Sequence, residues 1–207
     1  MLQQAMLNFA LNGAEWVLWL LVVLSLLCVF IGIERVIYLT TQSAPRGPFE
    51  AAVGAFLSGG ERLALEGALK GMRGLEPRVL LAGLGAKKES AMEPAMAGTL
   101  AFERLRLERG LIIVGTVAST AAFIGLFGTV LGIIEAFHHL SLQADDGGKA
   151  VMAGISEALV STAVALMVAI PAVVLYNYLG RRVRDLTARA ESLGLLIIAR
   201  VRTDGVP

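Results

Sequence analysis

The chain has 207 residues, 56% of them hydrophobic and only 17% charged, with a mean hydropathy of +0.72 and a formal net charge of +1. Soluble domains run about 45–50% apolar and about 25% charged, so this composition excludes an ordinary water-soluble enzyme or binding module. The near-neutral balance leaves no nucleic-acid partner to expect, and the single cysteine, Cys28, excludes an intramolecular disulfide.

Charge is clumped along the chain. Residues 16–33, 110–134 and 158–180 carry none, and roughly 20 apolar residues cross the hydrocarbon of a bilayer. Residues 1–14 are uncharged and mildly amphipathic, a segment expected on the outer membrane surface. The first span is expected over 15–39, with Trp16 and Tyr38 at its two interfaces. It reads as a retained span rather than a cleaved leader. Its apolar run exceeds the usual about 7–15 residues, no Lys or Arg precedes it, and Glu34-Arg35-Val36-Ile37 follows where a small-residue cleavage site would stand.

Residues 40–109 form the second region. Thr40 to Pro48 reads TTQSAPRGP, a breaker-rich turn. Short helices are expected over 49–57, 63–72 and 79–84, with Gly74 and Pro77 separating the last two. From 89 to 109 the pattern is helical, and one long helix is expected to run on into the second span at 110–137. A loop over 138–153 follows. Its neighbours His138 and His139 are open to two readings, a metal site or an interfacial pair. Adjacent residues face different ways on a helix, and no metal site is expected. The third span, 154–180, is expected to continue as an amphipathic helix over 181–207, through Val183, Leu186, Ala190, Leu193, Leu196 and Ile197.

Of the 18 Lys and Arg, ten lie in 41–109 and six follow the third span, while the 138–152 connection holds only Lys149. The positive-inside bias places 41–109 and 181–207 in the cytoplasm and the N-terminus outside. The chain has no Walker loop, HExxH, CxxC or GxSxG, so no enzymatic activity and no cofactor are expected.

Two apolar faces carry the chemistry. On the second span, Gly115, Ala118, Ala122, Gly125, Thr129, Gly132 and Ala136 share one helical stripe, and Gly128 with Gly132 makes a small-xxx-small pair. On the third, Ala158, Thr162, Ala165 and Ala169 repeat the device. Each stripe holds one threonine. Two readings stand: close helix packing, or a narrow lined path or groove for another helix. Glu157 opens the third span and Glu135 closes the second. Ionisable groups at such depth often line ion paths, and a helix-terminal cap is the alternative. No span has an Asp, Glu, Lys, Arg or His near its centre, so a proton path would need its carrier from another subunit.

The segments GLFGTVLGIIEAF (125–137) and ISEALVSTAVALMVAIPAVVLYNYL (155–179), with Glu34-Arg35 after the first span, resemble the MotA/TolQ/ExbB proton-channel family, closest to its TolQ/ExbB branch. The resemblance covers both later spans nearly without gaps. Over 41–109 it extends only to size and helical character. It implies an all-α inner-membrane protein with three transmembrane helices, two of them extending into the cytoplasm, assembled as a homopentameric ring. Inside the ring would stand two copies of a small single-span ExbD/TolR-like subunit that carries a membrane aspartate. It places the ion path on Thr129, Thr162 and Glu157, the packing and partner groove on Gly115, Gly125, Gly128, Gly132, Ala158, Ala165, Ala169 and Pro171, and a cytoplasmic interface on Glu34 and Arg35. Related sequences often carry proline where this chain has Ala122, so a straighter second span is expected.

The function this implies is that of a stator subunit. Proton flow turns the partner and energises an envelope process: outer-membrane transport, envelope maintenance or gliding motility. H⁺ is the expected ion and Na⁺ the alternative. The cytoplasmic part, roughly 100 residues, is expected to be too small for the flagellar branch. The competing reading is a structural membrane scaffold packed through the small-residue faces without ion conduction. A conventional transporter would need paired charges or a broken inverted repeat, and a membrane enzyme a nucleophile, base or metal constellation.

Overall fold

The computed structural model describes residues 15–142 and 147–204. The expectation for residues 1–14 lies outside the described residues. Among these residues the fold is entirely helical: α1 (Glu15–Thr41), α2 (Arg46–Leu57), α3 (Arg62–Lys70), α4 (Leu75–Leu84), a short 3-10 turn (Glu89–Ala91), α5 (Met92–Glu108), α6 (Leu111–Leu142) and α7 (Gly147–Asp204). Three of these helices, α1, α6 and α7, are long and apolar enough to cross a membrane. The chain divides into two compact units: a span unit (Met1–Ile33 with Leu111–Asn177) and a polar unit (Glu34–Gly110 with Tyr178–Pro207).

The span unit is built from α1, α6 and the first part of α7. Its core is small: Val17, Leu21, Cys28, Val114, Val117, Ala121, Leu131, Ala165, Ala169 and Ala172. Its large side chains point outward, with Trp19 at 70%, Phe123 at 71% and Ile112 at 81% exposure. Water would penalise that arrangement and hydrocarbon does not. Trp16 packs edge-on against Phe127, ring centroids 6.2 Å apart.

The polar unit has the opposite construction. Its buried side chains are large, among them Leu39, Phe49, Phe56, Leu69, Leu75, Leu80, Leu84, Met92 and Leu107. At its centre α4 buries Leu75, Glu76, Pro77, Val79, Leu80, Gly83 and Leu84. Gly74 fixes the entry to α4. Its φ of +141° is open to glycine, and a Cβ there would lie 2.8 Å from the Ala44 amide nitrogen. The chain leaving α1 is clipped to this point twice, by the Leu75 N–H donating to Gln42 O at 2.8 Å and by the Ala44 N–H donating to the buried Glu76 carboxylate at 3.3 Å.

Four expectations change. The long helix from 89 into the second span is broken: α5 ends at Glu108, Arg109 turns to extended backbone, and Gly110 takes φ +81°. A glycine after a basic last turn is a helix-stop signal. Pro77 is not a separator. Like Pro48 and Pro94, it sits third in its helix, where the missing N–H has no intrahelical acceptor to lose. The 138–153 loop is largely helical, since α6 runs to Leu142 and carries His138 and His139, and α7 begins at Gly147. The continuous α7 agrees with the expected helical tail, but its buried face is Val183, Leu186, Ala190, Gly194, Ile197 and Ile198, while Leu196 is 51% exposed.

Candidate functional site

The two small-residue stripes are the two halves of one helix contact. A Cβ on Gly125 would overlap the Ala165 methyl and lie 3.0 Å from Ser161 O and 3.2 Å from Thr162 Cα. On Gly132 it would stand 2.7 Å from the Ala158 Cβ, and on Gly154 2.7 Å from the Ala136 Cβ. Gly115 meets the Tyr176 ring at 2.8 Å in the same sense. Every step along α6 is matched by a step back along α7, the register of antiparallel helices. Small residues permit this approach and dispersion holds it. Ala158, Ala165 and Ala169 are accordingly buried, at 1%, 0% and 6% exposure.

The expected partner groove is therefore occupied by this chain's own α7 at Gly125 and Gly132. Gly128 is closed by Ser161 and by Val17 of α1, each at 3.0 Å. Pro171 does not belong to the contact. It lies exposed on the outward side of α7, which stays helical through it.

The same register sets Thr129 level with residues 161 and 162. Thr129 is 7% exposed, and its hydroxyl donates to Leu126 O at 2.7 Å, a bond within its own helix. Both lone pairs of that oxygen remain available as acceptors. The Thr162 hydroxyl differs: its Oγ1 is buried and has no hydrogen-bond partner among the described residues. Ser161, 1% exposed, completes a buried polar layer at this level that sequence reasoning passed over. Its signal was present, since 161 stands one position from the stripe and faces the Gly128 gap.

Glu157 lies on the exposed side of α7, five residues and about 7.5 Å of helix rise from Thr162. Glu135 is half-buried on α6, with His139 Nε2 3.9 Å from its carboxylate. The structure thus brings Gly125, Gly132, Thr129, Thr162, Ala158 and Ala165 into one seam, and leaves Glu157 and Pro171 outside it.

Glu34 and Arg35 belong to the polar unit. Arg35 is buried to 9% exposure and grips Glu34 with two bonds, Nε to Oε2 at 2.6 Å and Nη2 to Oε1 at 3.1 Å. Its remaining Nη1 donates to Arg106 O at 3.1 Å, one of the last carbonyls of α5, and its guanidinium lies over the Tyr38 ring. This pair holds the end of α5 to α1. Further along α5, the hydrogen bond to Glu108, and then its charge, push the exposed Arg104 guanidinium above its ordinary pKa.

The chain matches the model of the MotA/TolQ/ExbB proton channel family over residues 72–192. It is 46% identical to the biopolymer transport protein ExbB of Aquifex aeolicus over 79 residues, 38% of this chain and 53% of that protein. It is 36% identical to the Tol-Pal system protein TolQ of Pseudomonas aeruginosa over 121 residues, 58% of this chain and 49% of that one. To the ExbB protein of Neisseria gonorrhoeae it is 42% identical over 88 residues, 42% and 40% of the two chains. The chain spans about half or less of the length of these relatives.

Proposed function

The chain belongs to the MotA/TolQ/ExbB proton channel family, and from that membership we propose that it is the ring subunit of an ion-driven motor in the bacterial inner membrane. Five copies surround two copies of a small single-span ExbD/TolR-like subunit. Ion flow turns that pair and energises a process in the envelope. The chain's N-terminus faces the periplasm and its polar unit the cytoplasm. H⁺ is the ion. The domain limits are those of the sequence reading, with the second span opening at Leu111 and the ends of α6 and α7 carried into the 138–153 connection.

One observation carries the reading: the buried Thr162 hydroxyl without a partner among the described residues, level with Thr129, in spans without a central Asp, Glu, Lys, Arg or His. A buried hydroxyl left unbonded costs about 1–3 kcal/mol. A carboxylic acid brought past it by a partner helix would satisfy it, and the free lone pairs of the Thr129 hydroxyl offer the same acid an acceptor. Glu157, exposed about a turn and a half away, feeds ions to this level from the periplasmic side. One charge falling through 100 mV releases about 2.3 kcal/mol, enough to break interhelical hydrogen bonds of about 0.6–2 kcal/mol.

The test combines assembly with work. Native mass spectrometry of the chain co-expressed with its partner should show five copies retaining two. Thr129→Val and Thr162→Val should leave that assembly intact and abolish the driven process. Wild-type work from both variants would remove the ion path from these residues.

The scaffold reading has one observation in its favour, the packing of the glycine stripes on each other within a single chain. It requires the valine variants to work normally and Gly125→Leu to be ruinous, so the same experiment separates the two.

A further inference from the structure

We propose that the polar unit carries both halves of a head-to-tail contact between copies of this chain, in which Phe102 and Leu105 of one copy seat in the groove between α5 and α7 of the next. The proposal rests on the ring assembly above and supplies residues for its contact outside the membrane.

The first half is a projecting apolar pair. Phe102 and Leu105 stand on the outward side of α5 at 57% and 70% exposure, two large apolar side chains close together on one helix. The Phe102 ring is already shaped by Arg106, whose guanidinium lies 4.7 Å from its centroid. The second half is a groove of about 370 Å³ on a different side of the same helix. Its buried lining is Val79, Met96, Ala190, Gly194 and Ile198, with the small exposed residues Ala97 and Ala101 along one side. An apolar cavity of about 150 Å³ accommodates a benzene ring, so this groove has room for a phenyl and an isobutyl group together. Two different, complementary patches on one chain make a heterologous contact, the kind that closes into rings. A self-complementary patch would give a dimer and stop.

Charge agrees with the pairing. Beside the groove, Glu89 and Glu93 share one cation, Arg202, at 3.6 and 3.4 Å, and Glu191 adds a further acid, while Arg104 is held by Glu108 at 2.7 Å. That rim is acidic on balance. Beside the projecting pair, Arg78 and Arg106 share one buried acid, Glu103, at 3.3 and 3.5 Å, and Arg109 follows at the end of the helix. That side is basic on balance. Opposite potentials set the register of a contact and discourage like-with-like docking.

The test uses the full chain in its membrane, with a photoreactive benzophenone residue in place of Leu105. Irradiation should convert monomer into a ladder of multimers on a denaturing gel, with the adduct mapping to residues 93–104 or 187–198 of another copy. The same probe at Leu63, 76% exposed on α3, should give no ladder. Glu191→Lys should weaken the ladder, and adding Arg109→Glu should restore it. Suppose native mass spectrometry of the same sample shows a multi-copy ring. An adduct to lipid, to another protein or to a different face, or no adduct, then overturns the contact and leaves the ring standing. A monomer by native mass spectrometry overturns the ring, and the contact with it.

Discussion

The two units solve packing in opposite ways. In the span unit small residues fill most of the core beside Leu21 and Leu131, and the aromatic rings face out: Ala165 and Ala121 are fully buried while Phe30 and Phe123 are each 71% exposed. In the polar unit Leu69, Leu75 and Leu80 are fully buried, and most of its Glu, Lys and Arg side chains lie at the surface. The difference follows from the surrounding medium. Water drives large apolar groups inward at about 25 cal/mol per Å². Lipid supplies no such drive, so helices there associate through close backbone approach. A buried polar group then means different things in the two places. Glu76 in the polar unit is a clip, bonded to the Ala44 amide. Thr162 in the span unit is bonded to nothing described.

The largest test of this contrast is truncation of a big side chain in each unit. Leu80→Ala removes a fully buried leucine of the polar unit and should cost about 2–5 kcal/mol. Met167→Ala removes a side chain 69% exposed on the span unit and should change the stability of the isolated chain by less than about 0.5 kcal/mol. Thermal or denaturant unfolding in detergent measures both. Equal losses would erase the distinction between the two kinds of core.

Next comes a single substitution with opposite signs. Gly125→Ala forces a methyl into the Ala165 side chain and the Ser161 backbone, which backbone cannot easily yield, and should destabilise by about 1–3 kcal/mol. Gly67→Ala in α3 meets nothing within 4 Å and should stabilise by about 0.4–1 kcal/mol through helix propensity and chain entropy. A neutral Gly125→Ala would mean that the α6–α7 seam is looser than its glycines indicate.

The contrast also explains how far the sequence could be read. Spans follow from charge-free length, so all three were evident, as were helices at 49–57, 63–72 and 79–84 to within a few residues. The break at Gly110 was missed because hydrophobic periodicity continues across it, although Arg109-Gly110 is a stop signal. On the α7 tail Val183, Leu186, Ala190 and Ile197 are buried as expected and Leu196 is not; Gly194 was passed over because it contributes no hydrophobicity, yet it is buried with the Met96 sulfur 3.0 Å from where its Cβ would stand. The stripes were visible as two faces but not as one contact. That step needs the antiparallel register, which the short connection between the spans already implied. The orphaned Thr162 hydroxyl is a property of packing, and composition holds no trace of it.

The smallest expected effect is the most discriminating. Thr129→Val removes a hydroxyl that already bonds to Leu126 O and should cost about 0.5–1 kcal/mol. Thr162→Val removes one that is buried and unbonded, and should leave stability unchanged or raise it by up to about 1 kcal/mol. In a seam that existed only to pack, valine at 162 would therefore be the better residue. A hydroxyl that lowers stability in the resting chain is what a transient hydrogen-bond partner requires, because its bond forms only when that partner arrives. Thermal unfolding of the two variants in the same detergent would show opposite shifts. A loss of stability in Thr162→Val as large as in Thr129→Val would mean that the hydroxyl is satisfied within the chain, and the argument for a passing acid at that level would fail.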